Sequence, residues 1–207
     1  MNVVVFGATG TVGREIVNQV LARGHRVTAF SRNPQNMAMD HEALSFAQGD
    51  VLDPKAVAAA VAGHDAVICA LGAGLKGGLR APGTNNIIAA MQRHNIRRLV
   101  CLSTLGVGDS KVHLNFYWKY IMFGMLLRNA FADHVAQETA VQSSDLDWTL
   151  IRPSAYTDGP MTGRYQHGFD STKRRLNLQI SRADVAHFTL ETLEQQTYIG
   201  QTPAVSF

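Results

Sequence analysis

Apolar runs alternate with amphipathic segments along the chain, and this alternation predicts helices packed on a parallel sheet. The apolar runs are short and rich in β-branched residues, as in strands that are buried on both faces. Strands are predicted at 2–6, 26–30, 44–48, 66–71, 99–102 and 148–151, with a terminal strand at 203–207. Helices are predicted at 14–23, 54–62, 84–94 and 132–143, with a last helix ending at Leu193. Such alternation is typical of an α/β fold in three layers, with a doubly wound, mainly parallel sheet between two layers of helices.

The first strand breaks into three spaced glycines, Gly7, Gly10 and Gly13, directly before the first helix. A glycine at the first position fits a tight turn, one at the second lets the backbone approach a pyrophosphate, and one at the third allows close helix packing. The N–H groups at the start of the helix favour phosphate. With a strand before it and a helix after it, the turn predicts a dinucleotide site on a Rossmann-type fold. A strand-to-helix turn without a ligand is the alternative.

The end of the second strand, Ser31-Arg32, bears on which dinucleotide binds. An NAD site places an acidic residue about 20 positions past the glycines, whereas an NADP site supplies a basic residue for the 2′-phosphate. No acidic residue stands here, and the Arg32 guanidinium can bind phosphate with two hydrogen bonds and stack on adenine. The junction therefore predicts NADP (NADPH), with an exposed loop arginine as the alternative.

The later strands are also expected to end beside the cofactor, because ligands of open α/β sheets bind outside the carboxyl ends of the strands. The fourth strand leads into Leu71-Gly72-Ala73 and the fifth into Ser103-Thr104. Asp50 follows the third strand, where an adenine amino group would pass. Nearby, Asp53 followed by Pro54 has the pattern of an ordinary helix cap.

An aromatic and methionine-rich segment runs from Val112 to Arg128. Soft methionines and aromatic faces suit a flat apolar substrate, so this segment is one candidate for the substrate site. A helix core or a dimer face is the other interpretation.

Length and composition fit one domain over 1–207, because 46% of the residues are apolar and the charges are mixed. The formal net charge is only +3, and the basic residues, including 97–98 and 173–175, are scattered, so no nucleic-acid partner is expected. Cys69 and Cys101 lie in strand-like runs and are expected to be buried thiols. The eight histidines lack metal-ligand spacing, so no metal is predicted.

No signal peptide is recognisable at the N-terminus, and a cytoplasmic protein is expected. The longest hydrophobic stretch, Tyr120 to Leu127, falls far short of the roughly 20 residues that cross a bilayer. No membrane partner is therefore expected, and the oligomeric state is left open between monomer and homodimer.

Several of these motifs together resemble the atypical short-chain dehydrogenase/reductases, in the branch of the NmrA-like proteins and biliverdin reductase B (flavin reductase). The motifs are 7–13, 31–32, 49–51, 147–153 and 181–186, and the resemblance spans nearly the whole chain. It implies an NAD(P)-binding oxidoreductase, with adenine contacts from Asp50 and Val51. The residues expected to bind the cofactor are Gly7, Thr9, Gly10, Thr11, Val12, Gly13, Ser31, Arg32, Asp50, Val51, Leu71, Gly72, Ala73, Ser103, Thr104, Pro153 and Ser154.

Typical members of the wider family use a Tyr-x-x-x-Lys pair to transfer a proton, and this chain lacks it. The resemblance to biliverdin reductase B implies hydride transfer from NADPH to a conjugated ring, with the proton coming from water. Ser103 matches the active-site serine of that enzyme, and His134 matches one of its pocket histidines. The alternative for His134 is an ordinary surface histidine.

Three functions are therefore compared. The first is an NADPH-dependent reductase of flavins, quinones or biliverdin-like acceptors, with Ser103 and His134 as the catalytic residues. The second is a non-catalytic NADP-binding regulator of the NmrA type. The third, a sugar-nucleotide epimerase, is disfavoured because only 54 residues follow Pro153. The substrate cleft is expected to form from 75–82, 105–125 and 154–169.

Overall fold

The computed structural model describes residues 1–169, 172 and 176–207. The strands are β1 (Asn2–Phe6), β2 (Arg26–Ser31), β3 (Leu44–Gln48), β4 (Ala66–Cys69), β5 (Arg98–Leu102), β6 (Asp147–Pro153), β7 (Ala155–Thr157), β8 (Gln166–His167), β9 (Gln179–Ser181) and β10 (Ala204–Ser206). The α-helices are α1 (Thr11–Ala22), α2 (Pro54–Val61), α3 (Arg80–Arg93), α4 (Arg128–Gln142) and α5 (Arg182–Glu194). Two 3₁₀ turns (Pro34–Met37 and Gly108–His113) and a π-helix (Tyr117–Leu126) complete the helical elements. The basic residues at 173–175 lie outside the described part of the chain.

Eight strands form the central sheet in the order β3-β2-β1-β4-β5-β6-β10-β8. Neighbouring strands are parallel from β3 through to β10, and only β8 pairs antiparallel with its neighbour. The chain builds outward from β1 to β3 and then crosses to the other side of β1, where β4 lies. Doubly wound sheets bind ligands in the crevice at this change of direction. The predicted Rossmann-type topology is confirmed.

Both faces of the sheet are covered by helices. Val3 and Val5 of β1 pack with α1 and α5 on one face, while Val4 and Phe6 pack with α2, α3 and α4 on the other. Alternate residues of one strand therefore belong to different cores, as expected of a strand buried on both sides. This arrangement confirms the three α/β/α layers.

Three predicted boundaries are wrong by three or four residues, and each error lies at an edge of the candidate site. The first helix begins at Thr11, inside the glycine motif, instead of at Arg14. The third predicted helix, α3, begins at Arg80 instead of Thr84. The backbone N–H groups at the start of α3 donate hydrogen bonds to the carboxylate of Asp133 on α4, and these bonds extend the helix. The fourth begins at Arg128 instead of Ala132, because it continues directly from the π-helix.

Two other local predictions, the Asp53 cap and the buried thiols, are confirmed. Asp53 caps α2 by accepting a hydrogen bond from the backbone N–H of Lys55. Cys69 and Cys101 are free and buried. Within the described ranges, no group of three potential ligands is placed to hold a metal ion, and no helix has the length and hydrophobicity needed to cross a membrane.

The aromatic segment does not belong to the core. None of the π-helix residues is buried, and many large apolar side chains point outward. The helix-core interpretation of this segment is therefore wrong.

Candidate functional site

The glycine turn has a shape that only glycine permits. Gly7 adopts φ +81°, and a Cβ there would overlap the carbonyl of Ala70. A Cβ at Gly13 would overlap the carbonyl of Gly7. These two positions bring β1, α1 and the end of β4 into close contact, as the sequence predicts.

The start of α1 fits a phosphate group. Gly10 is the N-cap residue and makes no side-chain hydrogen bond to the first turn of the helix. The first turn lines the groove, its N–H groups have no capping side chain among the described residues, and the helix dipole adds a positive potential there. This chemistry matches the pyrophosphate of a dinucleotide.

A cavity of about 250 Å³ lies on one side of this turn. Its lining residues are Gly7, Thr9, Gly10, Phe30, Ser31, Arg32, Gly49, Asp50, Val51, Leu71, Gly72 and Leu79. The hydroxyls of Thr9 and Ser31 share a hydrogen bond of 2.9 Å, which ties the glycine turn to the end of β2. Arg32 is exposed at this position, and an exposed guanidinium can bind an anion. This cavity has the chemistry expected of an adenosine phosphate site.

A larger cavity of about 470 Å³ lies on the other side of the turn and shares Gly10, Leu71 and Gly72 with the first. Its lining residues are 10–13, 70–72, 102–105, 153–156, Arg80, Leu114, Trp118, Phe123, Leu127, His134, Leu178 and Arg182. The ends of β4, β5 and β6 thus meet at one edge of the sheet. The shared residues make the two cavities neighbours along one groove, which has the form that a dinucleotide requires.

Ser103 lies in the larger cavity and belongs to a buried charged network. Its hydroxyl donates a hydrogen bond of 2.6 Å to Oε1 of Glu138. Arg152 donates to both carboxylate oxygens of Glu138, from Nε at 2.9 Å and from Nη2 at 2.7 Å. A further Arg152 nitrogen, Nη1, binds the exposed carboxylate of Asp109. The network fixes Ser103 against the sheet.

His134 also lines the larger cavity and is half-buried, so it is not an ordinary surface histidine. Burial lowers the pKa of its imidazole to about 3, with the charge of Arg80 acting in the same direction. Its Nδ1 is buried without a hydrogen-bond partner among the described residues. The imidazole is therefore neutral near pH 7, and it offers hydrogen bonds rather than a proton.

Asp133 explains why Arg80 lies beside His134. Its carboxylate accepts hydrogen bonds of 3.0 to 3.1 Å from the backbone N–H groups of Leu79, Arg80 and Ala81. Oδ2 also lies 3.7 Å from Nη1 of Arg80. One carboxylate on α4 thus fixes both the start of α3 and the cation that faces the cavity.

Most of the predicted site residues come together around these two cavities, although their roles stay predictions. Ala73 lines neither of them within the described structure. Each predicted cleft segment contributes to the larger cavity, with Arg80 from the first, Trp118 and Phe123 from the second and Tyr156 from the third.

Glu138 and Arg182 are among the contributors that were not predicted from the sequence. Glu138 stands one helical turn after His134, and this spacing on a helix that packs on the sheet is a usable signal. Arg182 lies with its guanidinium carbon 5.7 Å from the ring centroid of Tyr156, and no local pattern marks that contact.

Comparisons with known proteins agree with this geometry. A family model described as NAD(P)H-binding matches residues 7–196. An uncharacterised chloroplastic protein of Arabidopsis thaliana is 29% identical over 208 residues, which cover 94% of this chain and 72% of that protein.

Two solved structures share the fold. A short-chain dehydrogenase/reductase of Veillonella parvula, solved in complex with NADP, matches with a TM-score of 0.85 at 18% identity and covers 100% of this chain and 94% of its own. ChuY, an anaerobillin reductase of Escherichia coli O157:H7, matches with a TM-score of 0.80 at 24% identity. The match covers 99% of this chain and 96% of ChuY. At these identities the likeness concerns the fold.

Proposed function

Because the chain belongs to the NAD(P)H-binding family, we propose that it is an NADPH-dependent reductase that transfers hydride to a conjugated acceptor such as a flavin, a quinone or a biliverdin-like tetrapyrrole. The observation that carries this proposal is the cavity of about 470 Å³ beside the glycine turn. It adjoins the adenosine side of the groove through Gly10, Leu71 and Gly72. A dinucleotide whose pyrophosphate lies on α1 would extend its second base toward this cavity.

The chain's first task is to bind and orient the cofactor. The first-turn N–H groups of α1 would hold the pyrophosphate, and Arg32 with Ser31 would hold the 2′-phosphate. Bound NADPH supplies the hydride. The preference for NADPH over NADH rests on Arg32, because no acidic residue stands at the end of β2 to bind a free ribose hydroxyl.

The second task is to hold the acceptor beside the nicotinamide. Trp118, Phe123 and Leu105 give the larger cavity flat and apolar surfaces, which suit a conjugated ring. Holding donor and acceptor in a reactive geometry can lower the barrier by several kcal/mol, up to about 7 to 11, without a dedicated acid.

The proton that balances the reaction would come from water. Reduction of the acceptor consumes one hydride and one proton and leaves NADP⁺. His134 is a poor donor because its pKa lies at about 3. No tyrosine of the chain has a lysine four residues after it, so the usual proton-transfer pair is absent. Acceptors whose reduced form takes a proton directly from solvent therefore fit this site best.

Steady-state oxidation of NADPH with a panel of acceptors tests the proposal. The panel contains FMN, dichlorophenolindophenol, a short-chain quinone and biliverdin, and NADPH binding is measured separately. We expect oxidation well above the protein-free rate with at least one acceptor. NADPH binding without oxidation of any acceptor would contradict the reductase and favour the non-catalytic regulator.

A further inference from the structure

The segment from 111 to 128 presents an apolar outer face that the rest of the fold leaves uncovered. Its inner side lines the larger cavity with Leu114, Trp118, Phe123 and Leu127. The outer side chains are strongly exposed: 72% for Phe116, 75% for Met125 and 63% for Leu126, with Tyr117, Tyr120 and Ile121 also exposed. We call these outer residues and the flanking cations the 111–128 face. A run of exposed aromatic, Met and Leu side chains is typical of an interaction surface.

All charged side chains of this segment are positive. No Asp or Glu occurs between Asp109 and Asp133, while Lys111, Lys119 and Arg128 lie in that interval. The summed charge of these three cations equals the formal net charge of the whole chain, +3. The rest of the chain therefore has equal numbers of positive and negative side chains. A segment with three cations and no acidic residue thus coincides with the exposed apolar side chains.

We infer that the 111–128 face docks on the surface of an anionic lipid bilayer. Aromatic and aliphatic side chains would enter the boundary between headgroups and acyl chains, and the cations would bind the headgroup phosphates. Tyr and Trp at such a boundary have the apolar body and polar tip that suit it. Lys119 lies with its ammonium 5.4 Å from the ring centroid of Tyr120, which keeps charge and aromatic surface together.

Charge distinguishes this occupant from a second copy of the chain. A symmetric dimer through this face would bring two segments of charge +3 together without any acidic partner within them. A bilayer with anionic headgroups supplies the missing charge.

Docking of this kind does not require a membrane span. The π-helix Tyr117–Leu126 has ten residues and would lie in the plane of the interface. The sequence expectation of no membrane partner was based on the length needed to cross a bilayer, so it does not address this mode. Because the inner side of the same segment lines the larger cavity, docking would bring that cavity to the lipid surface.

Vesicle flotation with the full chain tests the docking. One set of vesicles contains equal parts phosphatidylcholine and phosphatidylglycerol, and the other contains phosphatidylcholine alone. We expect the protein to float with the anionic set only and to be released as salt screens the charges. Failure to float with anionic vesicles at low salt, or equal flotation with both sets, would overturn the inference.

Matched variants localise the binding. Phe116→Ser removes an exposed aromatic from the face, and Phe46→Ser removes one from β3. Lys119→Glu reverses a charge within the face, and Lys55→Glu makes the same change on α2. We expect each change in the face to weaken vesicle binding by about tenfold, and each control by less than about twofold.

Equal losses from the face variants and their controls would overturn the inference. So would a stable dimer that Phe116→Ser dissociates, because the occupant would then be a second copy. NADPH binding by every variant reports correct folding. Since flotation measures no turnover, its result is independent of the proposed reductase activity.

Discussion

The hydroxyl of Ser103 donates its proton to Oε1 of Glu138 across 2.6 Å, and this bond sets what Ser103 can offer a ligand. Glu138 is only 3% exposed, and two nitrogens of Arg152 hold its carboxylate in place. With its proton engaged, the serine meets a ligand through its oxygen lone pairs. Ser103 is therefore suited to accept a hydrogen bond from an N–H or O–H group rather than to donate a proton.

Ser103→Ala removes this acceptor. We expect kcat/KM for FMN to fall roughly threefold to tenfold, which corresponds to one neutral hydrogen bond of about 0.5 to 1.5 kcal/mol. Steady-state kinetics at saturating NADPH measure the change. Ser103→Thr, which keeps the hydroxyl, serves as the control. Unchanged kinetics in Ser103→Ala would remove this residue from the acceptor site.

Glu138→Gln breaks the buried ion pair with Arg152, whose side chain is almost fully buried. We expect the free energy of unfolding to fall by about 3 to 5 kcal/mol, because a buried charge loses its compensation. Urea denaturation measures it. Asp109→Asn is the matched control, since this carboxylate binds the same guanidinium but is 85% exposed, and we expect it to cost less than about 1 kcal/mol. Equal losses of unfolding free energy in the two variants would mean that burial does not determine how much each ion pair with Arg152 contributes to stability.

The layers of the fold could be predicted because they depend on local pattern. Val3 to Phe6 form an uninterrupted apolar run, and the run is buried on both faces as its pattern indicates. The start of α3 could not be predicted, because its N–H groups are capped by Asp133, 52 to 54 positions away in the chain. Sequence neighbours carry no signal for a cap of this kind.

The candidate site shows the same division. Gly7 and Gly13 were recognisable because the backbone geometry of the turn demands glycine at these positions. Glu138 was missed because its role depends on Ser103 and Arg152, which reach it from β5 and β6. The residues that follow each strand can be predicted from local sequence. Side-chain contacts between different strands and helices depend on the tertiary arrangement.

His134 makes stability depend on pH. Its pKa is about 3 in the folded protein, mainly because of burial, against about 6.5 in the unfolded chain. Between these values the unfolded state binds a proton that the folded state does not, so stability is retained above about pH 6.5 and falls as the pH decreases. We expect this group alone to contribute a loss of about 2 kcal/mol between pH 7 and pH 5.

Urea denaturation at the two pH values measures that loss. His134→Asn should remove the contribution, whereas His41→Asn, at an exposed position, should leave it in place. An identical pH dependence in the wild type and His134→Asn would show that the imidazole is not held neutral.

Arg32→Ala tests the choice of cofactor. Loss of a charge-assisted phosphate contact is expected to weaken NADPH binding roughly tenfold to a hundredfold, and NADH binding by less than about threefold. Isothermal titration with both nucleotides measures this difference. Arg26→Ala, an exposed arginine at the other end of β2, should affect neither. Equal weakening of both nucleotides by Arg32→Ala would mean that Arg32 does not bind the 2′-phosphate.

The proposed function requires that this groove accelerate hydride transfer by placing a donor beside an acceptor. A single-turnover experiment tests it most directly: protein loaded with one equivalent of NADPH is mixed rapidly with FMN, and nicotinamide and flavin absorbance are followed together. We expect both signals to decay with one rate constant, at least about tenfold faster than for the same reagents without protein. Decay at the protein-free rate while NADPH remains bound would contradict it.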